Sequence, residues 1–153
     1  MKTNTVVALV LLTPMLLLSF VALEPDIRQT DKQIQVRDCE ISRAVCHFDL
    51  DGKTQIKINI LPRGLPETEL LRITLDTQGE QIDQADIIFE GIEIDTITPE
   101  YPLYKIMDTQ FKGKGFLVVC SLSKMNWIAH LIINKNNTTW KVSFPFEKHY
   151  DRG

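Results

Sequence analysis

Residues 54–60 read Thr-Gln-Ile-Lys-Ile-Asn-Ile, with an isoleucine at every second position from 56 onward. Successive side chains of a β-strand point to opposite faces, so the three isoleucines share one face while Lys57 and Asn59 lie on the other. Residues 140–146 repeat the pattern, because large apolar residues alternate there with Lys, Ser and Pro. Both stretches are typical of strands that bury one face and leave the other in solvent.

Six further segments have the same strand character, and short clusters of Gly, Pro, Asn and Asp separate them. The segments are 45–50, 70–76, 86–93, 103–107, 116–121 and 127–133, and the turn signals include Lys112-Gly113-Lys114-Gly115 and Asn134-Lys135-Asn136-Asn137. No long amphipathic helix interrupts them. The pattern predicts an all-β domain, an antiparallel β-sandwich of about 7–8 strands in which two sheets bury each other's apolar faces.

The N-terminal region differs from the rest because residues 6–23 carry no charge. A run of about 18 apolar residues is just long enough to cross a hydrocarbon core. Lys2 on the short leading side favours retention of that end in the cytoplasm and export of the remainder. A cleaved signal peptide is the alternative, but cleavage after Ala22 would place Phe20 where a small residue is preferred. We therefore expect a signal-anchor, a single transmembrane helix of the inner membrane.

The chain of 153 residues then divides into three parts: the anchor or signal segment at 1–23, a polar stalk at 24–38 and the β-domain at 39–153. The β-domain would lie in the periplasm, or be secreted if the first segment is cleaved. The formal net charge is −3, and the seventeen basic residues are scattered along the chain. Such a charge distribution argues against nucleic acid as a partner.

The three cysteines are Cys39, Cys46 and Cys120. In an exported domain cysteines normally pair, and Cys39 and Cys46 are the disulfide candidates because they could close a small local loop. Cys120 would then be a buried thiol, a partner for one of the other two, or a metal ligand. Cys120, Met125 and Trp127 could meet between two strands, where a thiolate and a thioether favour Cu(I). The alternative is that Met125 and Trp127 only fill the core.

No grouping that carries catalysis is recognisable. The sequence lacks a Gly-x-Ser-x-Gly elbow, a phosphate-binding glycine loop and a His-Glu-x-x-His motif. His130 lies within a strand segment, where a histidine satisfied by its neighbours is expected. We therefore predict no catalytic residue and no enzymatic activity.

Five short motifs resemble a group of poorly characterised bacterial periplasmic proteins with an N-terminal anchor and an immunoglobulin-like β-sandwich. The motifs are Asp38-Cys39 with Cys46, Ile60-Leu61-Pro62-Arg63-Gly64-Leu65-Pro66, Phe89-Glu90-Gly91-Ile92, Cys120 through Met125 to Trp127, and Val142-Ser143-Phe144-Pro145-Phe146. The group is distantly similar to the CopC-like and YtkA-like copper-handling sandwiches. The resemblance implies a role near metal delivery or respiratory-complex assembly.

The chain departs from that pattern after Gly91. Methionines are usual there in such relatives, whereas this chain reads Ile92-Glu93-Ile94-Asp95-Thr96. The loss of these thioethers weakens the expectation of copper binding.

Three functions follow as hypotheses. The first is a non-enzymatic, membrane-tethered periplasmic domain without a cofactor that contacts another envelope protein or membrane complex, for example in respiratory-complex assembly. The alternative is a Cu(I)-binding or thiol-based metal-handling domain that uses Cys120 and Met125, with Cys39 and Cys46 as further candidate ligands. A third is a small-molecule binding domain that uses the loop Pro99-Glu100-Tyr101-Pro102.

Overall fold

The computed structural model describes residues 30–118 and 122–150, and every regular element in these two ranges is a β-strand. The all-β class is therefore confirmed. The strands are β1 (Lys32–Gln35), β2 (Cys46–Asp49), β3 (Thr54–Leu61), β4 (Leu71–Gly79), β5 (Gln84–Gly91), β6 (Thr96–Ile97), β7 (Tyr101–Met107), β8 (Gln110–Gly115), β9 (Lys124–Lys135) and β10 (Thr138–His149).

The β9–β10 hairpin is the longest paired unit, with twelve residues in each strand. Its inner face is apolar because large hydrophobic residues occupy alternate positions of both strands. Asn136 and Asn137 form the connecting turn with φ angles of 51° and 59°. A two-residue turn with both φ angles positive matches the twist of paired strands, and asparagine tolerates this conformation well. The turn predicted at these asparagines is present.

All ten strands belong to one hydrogen-bonded sheet in the order β1-β10-β9-β5-β7-β8-β4-β3-β2, with β6 beside β5. The prediction had two separate sheets. Here β5 and β7 pair over only three residues, 85–87 with 101–103, and this narrow junction joins the two halves. The sheet curls until its inner faces meet. The ring of Phe48 on β2 packs edge-on against Phe144 on β10, with the ring centroids 5.6 Å apart.

A lysine closes the core at one end of the curled sheet. Lys135, the last residue of β9, has a side chain only 3% exposed. Its ammonium group contacts the carboxylate of Asp51, donates to Thr54 Oγ1 at 2.7 Å and lies 2.9 Å from Glu80 Oε2. Three acceptors match its three N–H donors. Because they belong to the other half of the sheet, the cluster ties the two halves together.

Burial by itself would lower the pKa of Lys135, but hydrogen bonds and charge interactions with Asp51 and Glu80 outweigh it and raise that pKa. The hydrogen bond from Lys135 is in turn the main reason that the pKa of each carboxyl group is lowered. The cluster is therefore ionised at neutral pH.

The segment at 112–115, predicted as a turn from its two glycines, is instead part of β8. A Cβ atom on Gly113 would lie 2.4 Å from Leu103 Cδ2 and 2.6 Å from the carbonyl oxygen of Pro102. A Cβ atom on Gly115 would lie 2.8 Å from the ring of Tyr101. Glycine is required at both positions because β7 packs closely against β8.

Two further segments differ from the strand pattern of the sequence. Lys32–Gln35, within the predicted stalk, forms β1 and pairs in parallel with β10. Residues 116–118, part of a predicted strand, have no regular structure, and 119–121 lie outside the described residues.

Within residues 30–118 and 122–150 there is no helix of the length and apolarity needed to cross a membrane. The anchor predicted at 6–23 lies outside the described residues.

Replacement of Gly113 by alanine should destabilise the domain by about 1–3 kcal/mol, because the added methyl group forces β7 away from β8. Urea denaturation measures the change. The matched control is Lys114→Ala on the same strand, where the side chain is exposed and a change within about 0.5 kcal/mol is expected. Equal effects of the two substitutions would show that the close approach at Gly113 is unimportant.

Lys135→Met should lower the free energy of unfolding by about 2 kcal/mol at neutral pH, since it leaves two carboxylates without their shared cation. Lys53→Met is the control, because Lys53 is an exposed partner of the same Glu80. Its expected change is within about 0.5 kcal/mol.

The same pair of proteins gives a pH test. The pKa values of Asp51 and Glu80 are lowered by folding, so their contribution is present above the unfolded values and is lost as the pH falls through the folded values. The stability difference between wild type and Lys135→Met should therefore shrink on acidification. A difference that is constant with pH would contradict this assignment.

Candidate functional site

Cys39 and Cys46 are joined in a disulfide, as the sequence predicted, with their Cα atoms 5.6 Å apart. The loop that they close lies against the β3–β4 connection. There Gly64 N donates to Ser42 O at 2.8 Å, and Arg63 donates to Ala44 O at 3.3 Å. These contacts give the disulfide a structural role in holding the two loops together.

Met125 and Trp127, predicted as metal ligands or core residues, are both fully buried. The Met125 methyl group lies over Gly91, where a Cβ atom would approach it to 2.0 Å. Trp127 Nε1 donates to the hydroxyl group of Tyr150 at 3.0 Å. Both side chains therefore pack in the core.

Cys120 lies outside the described residues. Among residues 30–118 and 122–150, no group of three or more His, Cys, Asp or Glu side chains could hold a metal ion. The copper site stays a prediction that depends on Cys120.

The loop at 99–102, predicted as a small-molecule site, does not present a free aromatic ring. Tyr101 packs over Gly115, and its hydroxyl group donates to Phe116 O at 3.2 Å. Pro102 belongs to β7 and is exposed.

Three side chains form a hydrogen-bonded chain on the outer face of the sheet. His130 Nδ1 lies 2.9 Å from Ser143 Oγ, and His130 Nε2 lies 2.6 Å from Glu90 Oε2. Their strands, β10, β9 and β5, are adjacent in the sheet. Sequence reasoning predicted a satisfied histidine at 130, but the partners depend on strand register and could not be identified.

The Ser143–His130–Glu90 chain contains the residue types of a hydrolytic triad, but its surroundings differ from those of a hydrolase. It lies on the face of paired strands, where the main-chain N–H groups of β9 and β10 form the sheet's own hydrogen bonds. A hydrolase needs free donors about 3 Å from the oxygen on which charge develops. Burial lowers the pKa of His130, with a smaller contribution from Lys141, and together they outweigh Glu90. We therefore interpret the chain as a structural link between three strands.

A surface groove, which is open to solvent, lies on the outer face of β7 and β8. Pro102, Tyr104, Lys112, Gly113 and Lys114 line a shallow groove of about 430 Å³, which we call the β7–β8 groove. Gly113 points to the inner face, where β7 packs closely against β8. Because side chains alternate along β8, Lys112 and Lys114 lie on the outer face. Tyr104 lies directly opposite Lys112 in the register.

Arg72 extends the positive charge of the groove onto β4, where it lies directly opposite Lys114. All three cations, Arg72, Lys112 and Lys114, are exposed. Within residues 30–118 and 122–150 none of them has an ion pair or side-chain hydrogen bond, whereas Lys57 pairs with Asp76 on the neighbouring strand at 3.7 Å. The groove thus combines an aromatic ring with uncompensated positive charge.

Comparison with known proteins adds one distant neighbour. No protein-family model and no curated protein matches the chain. A solved structure of a DUF4785 family protein from Legionella pneumophila is similar at 13% identity, with a TM-score of 0.42. The match covers 63% of this chain and 28% of that one. Similarity at this level carries no argument about function, and the predicted likeness to copper-handling sandwiches finds no support here.

Sequence reasoning missed the β7–β8 groove because the alternation of Lys and Gly at 112–115 resembles a turn. The available signal was period two: both lysines occupy one face and both glycines the other. Arg72 could not be added to them without the strand register.

His130→Gln should reduce the dependence of stability on pH below about 6.5, the ordinary histidine pKa. Folding lowers the pKa of His130, so the unfolded chain takes up the proton first as the pH falls, and stability decreases until the folded pKa is reached. Urea denaturation from pH 7.5 to pH 5 measures the slope. His47→Gln replaces an exposed histidine and is the control. Equal slopes for wild type and His130→Gln would contradict the assignment.

Proposed function

We propose that this chain is a non-enzymatic binding domain that contacts another envelope protein through the β7–β8 groove. In this proposal the N-terminal segment tethers the chain to the inner membrane and the domain lies in the periplasm, where its face-to-face halves act as an immunoglobulin-like sandwich. A tethered binding domain of this kind would suit the assembly of a respiratory or other membrane complex. A tether supports weak contacts because it raises the local concentration of the domain at the membrane.

The observation that carries the proposal is the exposure of three large side chains on β7, the strand whose Tyr104 lines the groove. Tyr104, Ile106 and Met107 are 67%, 56% and 57% exposed. Tyrosine and methionine are enriched where proteins meet, and tyrosine often contributes much of the binding energy. Neighbouring large apolar side chains on a surface are typical of interaction sites.

The composition of the groove favours binding over catalysis. Its lining is a proline, a tyrosine, a glycine and two lysines, without a carboxylate or a histidine. A general acid or base that works near neutral pH is most often one of those two types. The groove is also shallow, which suits the convex surface of a partner better than an enclosed substrate.

A photo-crosslinking amino acid in place of Tyr104, in the full-length chain in its own cells, tests the proposal. We expect a discrete adduct that mass spectrometry identifies as an envelope protein. The same substitution at Gln33, an exposed residue of β1, should not give that adduct.

A second variant combines Ile106→Asp with the crosslinker at Tyr104. It should decrease the adduct at least fivefold, because it places a charge in the apolar part of the contact. Identical adducts from the positions of Tyr104 and Gln33, or no adduct at either, would overturn the proposed binding surface.

A further inference from the structure

We infer that the partner presents a carboxylate-rich segment to the β7–β8 groove. This inference rests on the proposed function and names the chemistry of the surface that the groove recognises. It depends on the arrangement of Arg72, Lys112 and Lys114 on two neighbouring strands, β4 and β8.

Two like charges lie opposite each other at one edge of the groove. Arg72 and Lys114 are direct neighbours across the β4–β8 pair, and such residues have Cβ atoms about 5 Å apart. Like charges at this position destabilise a sheet. Within the described ranges no carboxylate relieves the repulsion with an ion pair. A ligand carboxylate between the two cations would relieve it.

Other exposed lysines of the domain, unlike Lys112 and Lys114, form ion pairs within the part of the chain that the structure describes. Lys124 lies 2.6 Å from Glu147, and Lys53 lies 3.5 Å from Glu80. The whole chain has a net charge of −3, so a surplus of acidic side chains is available for pairing. Positive charge concentrated on an acidic protein attracts an acidic partner and orients its approach.

The positive surface is limited in extent. On β4, Asp76 lies two positions beyond Thr74, the residue that pairs with Lys112. Asp76 accepts a hydrogen bond from Gln110 Nε2 at 2.7 Å. This carboxylate limits the positive area on the side toward the β7–β8 turn. A bounded cluster fits a short acidic segment better than an anionic bilayer, which would meet Asp76 as well. Arg72 can hold a carboxylate through two hydrogen bonds, and Tyr104 offers an apolar surface beside it.

The test is fluorescence anisotropy of a labelled decaglutamate peptide with the full-length chain in a nonionic detergent. We expect saturable binding that weakens when the salt concentration rises from about 50 to 300 mM, because exposed charges are then screened. Lys112→Glu with Lys114→Glu should lower the affinity at least tenfold. Arg37→Glu with Arg43→Glu changes the net charge equally at exposed positions outside the groove, and it should change the affinity less than twofold.

Two outcomes would overturn the inference. One is an equal loss of affinity in both double variants, which would show attraction by net charge alone. The other is displacement of the peptide by glycerol phosphate beyond that caused by sodium chloride of equal ionic strength, which would assign the groove to a phosphate headgroup. Lys112→Gln with Lys114→Gln is a milder variant and should give an intermediate loss.

The crosslinking experiment separates this inference from the proposed function. If the adduct at Tyr104 forms equally well in the Lys112→Glu, Lys114→Glu chain, the surface binds a partner but does not select carboxylates. If the adduct disappears in that chain while unfolding by urea is unchanged, both the surface and its preference for acidic groups are supported.

Discussion

The rest of the structure depends on burial of one apolar face of a single wide sheet. A strongly twisted sheet of about ten strands curls or divides before it grows wider. Here it curls at the three-residue junction of β5 and β7, and the contact between Phe48 and Phe144 marks where its two ends meet. Because inner positions form the core, Lys135 at the end of β9 is tolerated only with acceptors from the opposite half.

The same constraint decides which side chains remain for function. Residues on the inner face, among them Met125 and Trp127, are buried and held by packing in the core. Residues on the outer face do not have to pack in the core. In one half they form the Ser143–His130–Glu90 link, in which His130 is buried, and in the other they form the open β7–β8 groove. The candidate site is thus a consequence of strand alternation combined with glycine on the inner side.

Alternation along the chain was sufficient to predict the all-β class and most of the strands. It failed where local composition imitates a turn, at 112–115, because the reason for Gly113 is the close approach of a different strand. The local disulfide was predictable from the short spacing of its cysteines. The partners of His130 and Lys135 were not, because they lie on strands that are distant in sequence, and register is a property of the whole sheet.

The opposition of Arg72 and Lys114 shows why register matters for function as well as for folding. A shift of one residue between β4 and β8 would move one of these side chains to the inner face, where an unpaired charge is costly. The apolar residues at the inner positions of β4 therefore fix the register, and the register fixes the two cations as neighbours. A change of register would separate the two cations, but it would also disrupt the packing of the core. Relief has to come from outside the sheet, through solvent ions or through a partner that carries the opposite charge.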